Sequence, residues 1–217
     1  YWIADNAVVT TEGAPALRQV ALAPSTVGAY VDWGRRFLHQ SSIDAELMFK
    51  TDLVDSLGTA IDLACLSGAG TGAIPEGIEN VTGVGAVEFT TEGAPTYAEI
   101  VELWEAVAID NAMRGTPAFL VGATLAGTLM TTARFDSGGI PILNEGTIMG
   151  FPCAISEQVT DATIMFGNWK DLVIGEWGAI DIKIDTSTNS TSGATRIVAL
   201  HDVGIALRNP GSFAFGI

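Results

Sequence analysis

Val27, Ala29, Val31 and Trp33 alternate with small or polar residues, the period-2 pattern of a half-buried strand. Residues 1–38 read as extended throughout. Thr10-Thr11-Glu12-Gly13-Ala14-Pro15 has turn composition and is flanked by Trp2-Ile3 and Val20-Ala21-Leu22, which predicts a two-stranded arm with a polar tip. A lone two-stranded arm is marginal in water, so this one needs a partner surface.

The period changes at about residue 40. Ser41-Ser42 supplies a helix cap, and Asp44 and Glu46 complement the dipole in the first turn. Ile43, Leu47, Val54, Leu57 and Ile61, with Met48, Leu53 and Ala64 alongside, make the apolar series. The helix is predicted to stop near Ser67, with Gly68 in the left-handed conformation. That gives about 24 residues and ~36 Å, long for a compact domain. Asp52, Asp55 and Asp62 share a polar face; with no His or further carboxylate converging on them, it reads as solvated and not as a metal site.

A second helix is announced by the capping box Thr96-x-x-Glu99 after Pro95, with Ile100, Leu103, Trp104 and Val107 as its apolar face. Gly115-Thr116-Pro117 is predicted to stop it. Residues 116–150 mix short apolar stretches, Phe119-Leu120-Val121 among them, with a short helix and the glycines Gly138, Gly139 and Gly150. Further on, Ile180, Ile182 and Ile184 alternate with Asp181, Lys183 and Asp185, a one-sided strand. Thr186 to Gly193 is its hairpin tip and Arg196 to Leu207 the return strand. The class is α+β, in the order arm, long helix, mixed lobe and long hairpin, with no internal repeat.

Composition narrows the function. The 217 residues are 48% hydrophobic, ample for one domain or two closely packed lobes. No apolar run approaches the ~20 residues of a membrane span. Tyr1-Trp2-Ile3 has no initiator Met and no signal-peptide character, so the sequence reads as starting in the middle of something. With 25 acidic against 10 basic residues the net charge is -15, and no Lys/Arg patch offers itself to phosphates. Cys65 and Cys153 lack C-x-x-C spacing and read as buried free thiols in a reducing compartment.

Motifs of catalysis fail on context. Gly68-Ala69-Gly70-Thr71-Gly72 follows a helix and has no Lys after it, so it is a helix-terminating loop and not a phosphate cradle. His39 and His201 sit in no zinc-ligand spacing, and no G-x-S-x-G elbow supplies a nucleophile. His201 and Asp202 are strand neighbours and point to opposite faces. Asn80-Val81-Thr82 and Asn189-Ser190-Thr191 match the glycosylation sequon, by chance in a reducing compartment. No cofactor is expected.

Gln40-Ser41-Ser42-Ile43-Asp44-Ala45-Glu46, a long helix, then Leu66-Ser67-Gly68-Ala69-Gly70-Thr71-Gly72 and Pro75-Glu76-Gly77-Ile78 together resemble the HK97-type phage major capsid proteins. Trp2-Ile3-Ala4-Asp5 and Val20-Ala21-Leu22-Ala23-Pro24 resemble that family's E-loop strands. Gly138-Gly139-Ile140-Pro141-Ile142, Gly150-Phe151-Pro152 and Arg208-Asn209-Pro210-Gly211-Ser212-Phe213 resemble its later motifs, so the likeness runs through nearly the whole chain.

The resemblance implies an HK97-like capsid fold. Residues 1–27 would be the E-loop, 28–80 with 179–208 the peripheral domain (spine helix about 43–67), and 81–178 with 209–217 the axial domain. It implies a shell subunit forming hexamers and pentamers around double-stranded DNA, in a virion assembled in the bacterial host cytoplasm. A scaffold, a prohead protease and an N-terminal arm outside this sequence would take part, and no membrane. The contact residues implied are Glu12 and Arg18 of the E-loop, Gly68, Gly70, Thr71 and Gly72 of the loop, and Asp52 and Asp55 of the spine helix. Some members weld an E-loop Lys to an Asn. Here the lysines are Lys50, Lys170 and Lys183, the arm carries Arg18-Gln19, and Leu200 stands where the promoting Glu belongs, so non-covalent contacts are expected. An encapsulin-type nanocompartment on the same fold is the alternative; a small acidic hydrolase is a remote one.

Overall fold

In the computed structural model the described residues are 19–34, 36–37, 45–135, 138–189 and 191–217. The arm tip, Glu12, Arg18, His39 and the Ser41-Ser42 cap lie outside them. The alternating run forms β1 (Ser25–Gly34), whose odd-numbered side chains turn inward and end in buried Trp33. Every residue of β1 pairs antiparallel with β9 (Ala194–Leu207), from Ser25 opposite Val203 to Gly34 opposite Ala194. The other edge of β9 takes β8 (Asp181–Asp185) and then β7 (Leu172–Glu176), completing a four-stranded sheet. The β8–β9 hairpin is the one the isoleucine alternation predicts. Ile180 and Ile182 pack inward as expected, but Ile184 stays exposed.

That helix is α1 (Ala45–Ser67). Leu53 and Leu57 are buried against Ile197 and Ala199, and Phe49 stacks on Trp33 at 5.2 Å between ring centroids. The expected apolar face is corrected here. Leu47, Met48 and Val54 are exposed, because each residue advances about 100° around the axis and only the stripe through Leu53 and Leu57 can meet the sheet.

The six-stranded sheet runs β2 (Gly85–Val87), β10 (Phe213–Gly216), β6 (Ile164–Gly167), β3 (Ala118–Val121), β5 (Phe151–Ile155) and β4 (Thr147–Ile148). Two pairings in it, β2–β10 and β3–β5, are parallel. Helices α2 (Tyr97–Ile109) and α3 (Ala123–Thr131) contribute Ile100, Leu103, Val107, Leu125 and Leu129 to its core, where Phe119 and Phe166 meet at 4.4 Å.

The capping box of α2 is present in full. The Glu99 carboxylate accepts from the Thr96 and Thr90 backbone amides, both at 2.7 Å, and from the Thr96 hydroxyl at 2.9 Å. Its stop is corrected: α2 ends at Ile109, with Asn111 at φ 53, well before Gly115. Asn tolerates the left-handed region through local hydrogen bonds, and it ends the helix first.

A separate core of Leu66, Ile78, Val159, Met165, Leu207 and Phe213 lies where the two sheets meet. The fold is thus two lobes, each with its own sheet, joined through a third apolar cluster.

Candidate functional site

The glycine loop is built as a lid on the end of α1. An α-helix leaves its last carbonyls without intrahelical donors. Here Gly68 N donates to Ala64 O, Ile78 N to Cys65 O and Glu79 N to Leu66 O, at 2.9 to 3.1 Å. Asn80 Nδ2 reaches Ser67 O at 3.3 Å and Gly68 O at 2.9 Å. Gly68 and the returning residues Ile78, Glu79 and Asn80 therefore serve the last four carbonyls of the helix.

The expectation for Gly68 is corrected: it is not left-handed. It is glycine because a Cβ there would collide with the Ala64 and Pro75 carbonyl oxygens, while Gly77 N donates to Gly68 O at 2.8 Å. The left-handed positions are Gly70 (φ 65) and Gly72 (φ 66), which fold the exposed tip around Thr71.

Asp52 and Asp55 lie exposed on α1, on the side away from the sheet, so the structure does not bring them to the loop. Between them and the helix end, Ser56, Thr59 and Ser67 hydroxyls donate to carbonyls four residues earlier. Exposed apolar Met48 and Leu63 share this outer surface. A groove of about 420 Å³ runs beside it, with Ala60, Ala64, Ala69, Ile74 and Val27 in its walls.

Among the described residues, titratable groups do not gather into a reaction centre. Buried His201 stands opposite Val27 and faces α1, whereas Asp202 on the other face accepts from Thr26 Oγ1 at 2.5 Å. Among the described residues no group of three or more His, Cys, Asp or Glu is placed to hold a metal ion. Cys65 is buried and Cys153 half-buried; both are free, and burial pushes both thiols up to about 11, with Asp62 adding to the effect at Cys65. Such thiols are inert at neutral pH. No described helix is long and apolar enough to cross a membrane.

Three features escaped the sequence reading. On the outer face of the four-stranded sheet, Arg196 forks onto Asp32 with both bonds at 2.7 Å and lies 4.3 Å from the Tyr30 ring centre. At the hairpin tip, Asp185 accepts from Ser187 and Thr188, which together hold its carboxyl below the usual range. Between the lobes, the Asp171 carboxylate accepts from Ser212 Oγ at 2.6 Å and from Asn168 Nδ2 at 3.1 Å. Asp185-x-Ser187 is a readable turn signal. The Arg196–Asp32 pairing spans 164 residues and the Ser212–Asp171 bond 41, so neither is readable as a local motif.

Comparison with known proteins places these features in a family. The model described as the phage capsid family matches residues 1–216. The major capsid protein of Halomonas phage phiHAP-1 is 23% identical over 195 residues, which are 90% of this chain. This chain spans 32% of that relative's length. The capsid of an empty GTA particle, computed with C5 symmetry, superposes with a TM-score of 0.75 at 20% identity, over 99% of this chain and 79% of that one. A virus-like particle from Pyrococcus furiosus shares the fold more distantly, with a TM-score of 0.61 at 12% identity, over 90% of this chain and 77% of that one.

Proposed function

The chain belongs to the phage capsid family, and from that premise we propose that it is the shell-forming part of a major capsid protein with an HK97-like α+β fold. Copies assemble through non-covalent contacts into hexamers and pentamers of an icosahedral shell around double-stranded DNA, and no catalytic step is involved. The observation that carries the reading is a helix of 23 residues with one face on the sheet and apolar Met48, Val54 and Leu63 exposed on the others. A monomer gains nothing from that arrangement, whereas neighbours in a shell would cover it.

In this reading residues 1–27 are the E-loop, 28–80 with 179–208 the peripheral domain, and 81–178 with 209–217 the axial domain, with one amendment. Strand β7 lies inside the axial range but hydrogen-bonds to β9, so we move residues 172–176 to the peripheral domain. Glu12, Arg18, Asp52, Asp55 and the loop residues Gly68, Gly70, Thr71 and Gly72 are the contact candidates. The net charge of -15 suits a container that must not adhere to the DNA inside it. A scaffold and a prohead protease act while the shell is assembled in the bacterial host cytoplasm, and the finished shell is part of the virion.

Electron microscopy of the full-length gene product, expressed with its neighbouring genes, tests this. Closed shells tens of nanometres across that contain DNA are expected. Shells filled with a protein cargo would point to a nanocompartment, and a discrete small oligomer would overturn the shell reading.

A further inference from the structure

Among the described residues the chain passes between the two sheets at 78–84, 168–171 and 208–212. These three crossings converge on one place. Asn168 and Asp171 come from the second, Asn209 and Ser212 from the third. The Asp171 carboxylate takes the Ser212 hydroxyl and the Asn168 amide on one oxygen, Oδ2, and Asn209 Nδ2 donates to Ser212 Oγ at 2.9 Å.

Main-chain bonds run in parallel: Asn168 N to Ser212 O at 3.0 Å and Arg208 N to Asp171 O at 2.7 Å. From the first crossing, Gly83 abuts Pro210 so closely that a Cβ would sit 3.4 Å from the Pro210 Cβ. Ser212 is 1% and Asn168 6% exposed, so the two bonds to Asp171 Oδ2 are shielded from water, while Asn209 stands exposed at the rim.

The surroundings of this cluster are open. A cleft of about 370 Å³ between Cys65, Leu120, Trp169 and Leu172 lies on one side. A polar cleft of about 400 Å³ between Thr82, Asp110, Asn209 and Gly211 lies on the other. Each lobe has its own core, and apolar contacts tolerate sliding far better than directional buried hydrogen bonds do. The cluster is not saturated either: Asn168 Oδ1 is buried beside Gly115 with no protein partner.

We propose that the Asp171–Ser212–Asn168–Asn209 cluster is a latch that sets the angle between the two lobes, and that opening it lets them rotate within the space of the flanking clefts. The use of such a joint rests on the shell reading, since one chain must fit both pentamers and hexamers. The joint itself does not depend on that reading and can be measured on unassembled chain.

Spin labels on cysteines introduced at exposed Thr59 of α1 and Thr131 of α3, in a Cys65→Ala, Cys153→Ala background, report the distance between lobes. One narrow distance is expected for the parent chain. Ser212→Ala and Asp171→Ala are expected to broaden it about twofold or split it in two. Asp171→Asn keeps an oxygen able to accept both bonds and is expected to restore the narrow distribution. If Asp171→Ala does not fold, Ser212→Ala decides. Distributions as narrow as the parent's in folded Ser212→Ala, or a broad one in Asp171→Asn as well, overturn the latch. Absence of shells alongside the expected distances would count against the shell reading alone.

Discussion

At Gly68 a side chain has no room, because the Ala64 and Pro75 carbonyl oxygens and the Gly77 amide crowd the position. At Gly72 the space is open and only the backbone angle, φ 66, favours glycine. Gly68→Ala must push backbone away from backbone and is expected to cost more than about 2 kcal/mol. Gly72→Ala is expected to cost about 1 kcal/mol, the penalty of a left-handed alanine. Urea unfolding of the two variants checks the ranking.

Glu99 makes a separate demand on pH. Backbone and hydroxyl donors of Thr90 and Thr96 hold its carboxyl down from 4.5 to about 2 despite burial. A depressed pKa means stability that is fully present above 4.5 and lost as pH falls from there toward 2. Glu99→Gln is expected to lower stability at pH 7 by about 1–2 kcal/mol and to flatten the acid limb of the stability profile. An unchanged acid limb would remove Glu99 from the account.

Among the elements, α1 holds the sheet with one face and, in the proposed shell, meets a neighbour with another. Leu57 is 1% exposed in the sheet-facing stripe, and Leu57→Ala is expected to cost about 2–5 kcal/mol by cavity formation. Met48 and Leu63 are 45% and 48% exposed. Met48→Ser with Leu63→Ser is therefore expected to leave stability of the free chain within about 0.5 kcal/mol per site while reducing the yield of closed shells. Melting and particle counts on the same preparations separate the two effects.

The contrast also explains what the sequence could and could not disclose. The β1 alternation, the Thr96–Glu99 capping box and the β8–β9 hairpin were legible because their causes are local: period, cap and turn. The face of α1 was not, since its apolar residues surround the axis and only the position of β9, far along the chain, selects the Leu53–Leu57 stripe. Gly68 was misread for the same reason. A left-handed stop is a local habit, but the residue is glycine because segment 75–77 returns against it. Of the contact candidates, Asp52, Asp55, Gly70, Thr71 and Gly72 are exposed whereas Gly68 is buried, and nothing in a single chain ranks the exposed ones.

For the whole molecule, the arm and the charge lead to opposed expectations about assembly. A chain lacking residues 8–20 keeps all three apolar clusters, so it is expected to melt like the parent and to form no shells; intact shells from it would sink the E-loop assignment. Charge acts differently. These 217 residues carry -15 in every copy, so this part of each subunit repels the same part of its neighbours, and each added copy meets the field of those already in place. Salt shortens the reach of that field to ~8 Å at 0.15 M and ~3 Å at 1 M, while the proposed apolar contacts through Met48, Val54 and Leu63 would be untouched or strengthened. Assembly of the full-length protein is therefore expected to become faster and more complete as ionic strength rises, as followed by light scattering. Were exposed ion pairs the main bonds between copies, screening would weaken them and the dependence would run the other way. The sign of the salt effect thus reports which surface of the subunit holds the shell together.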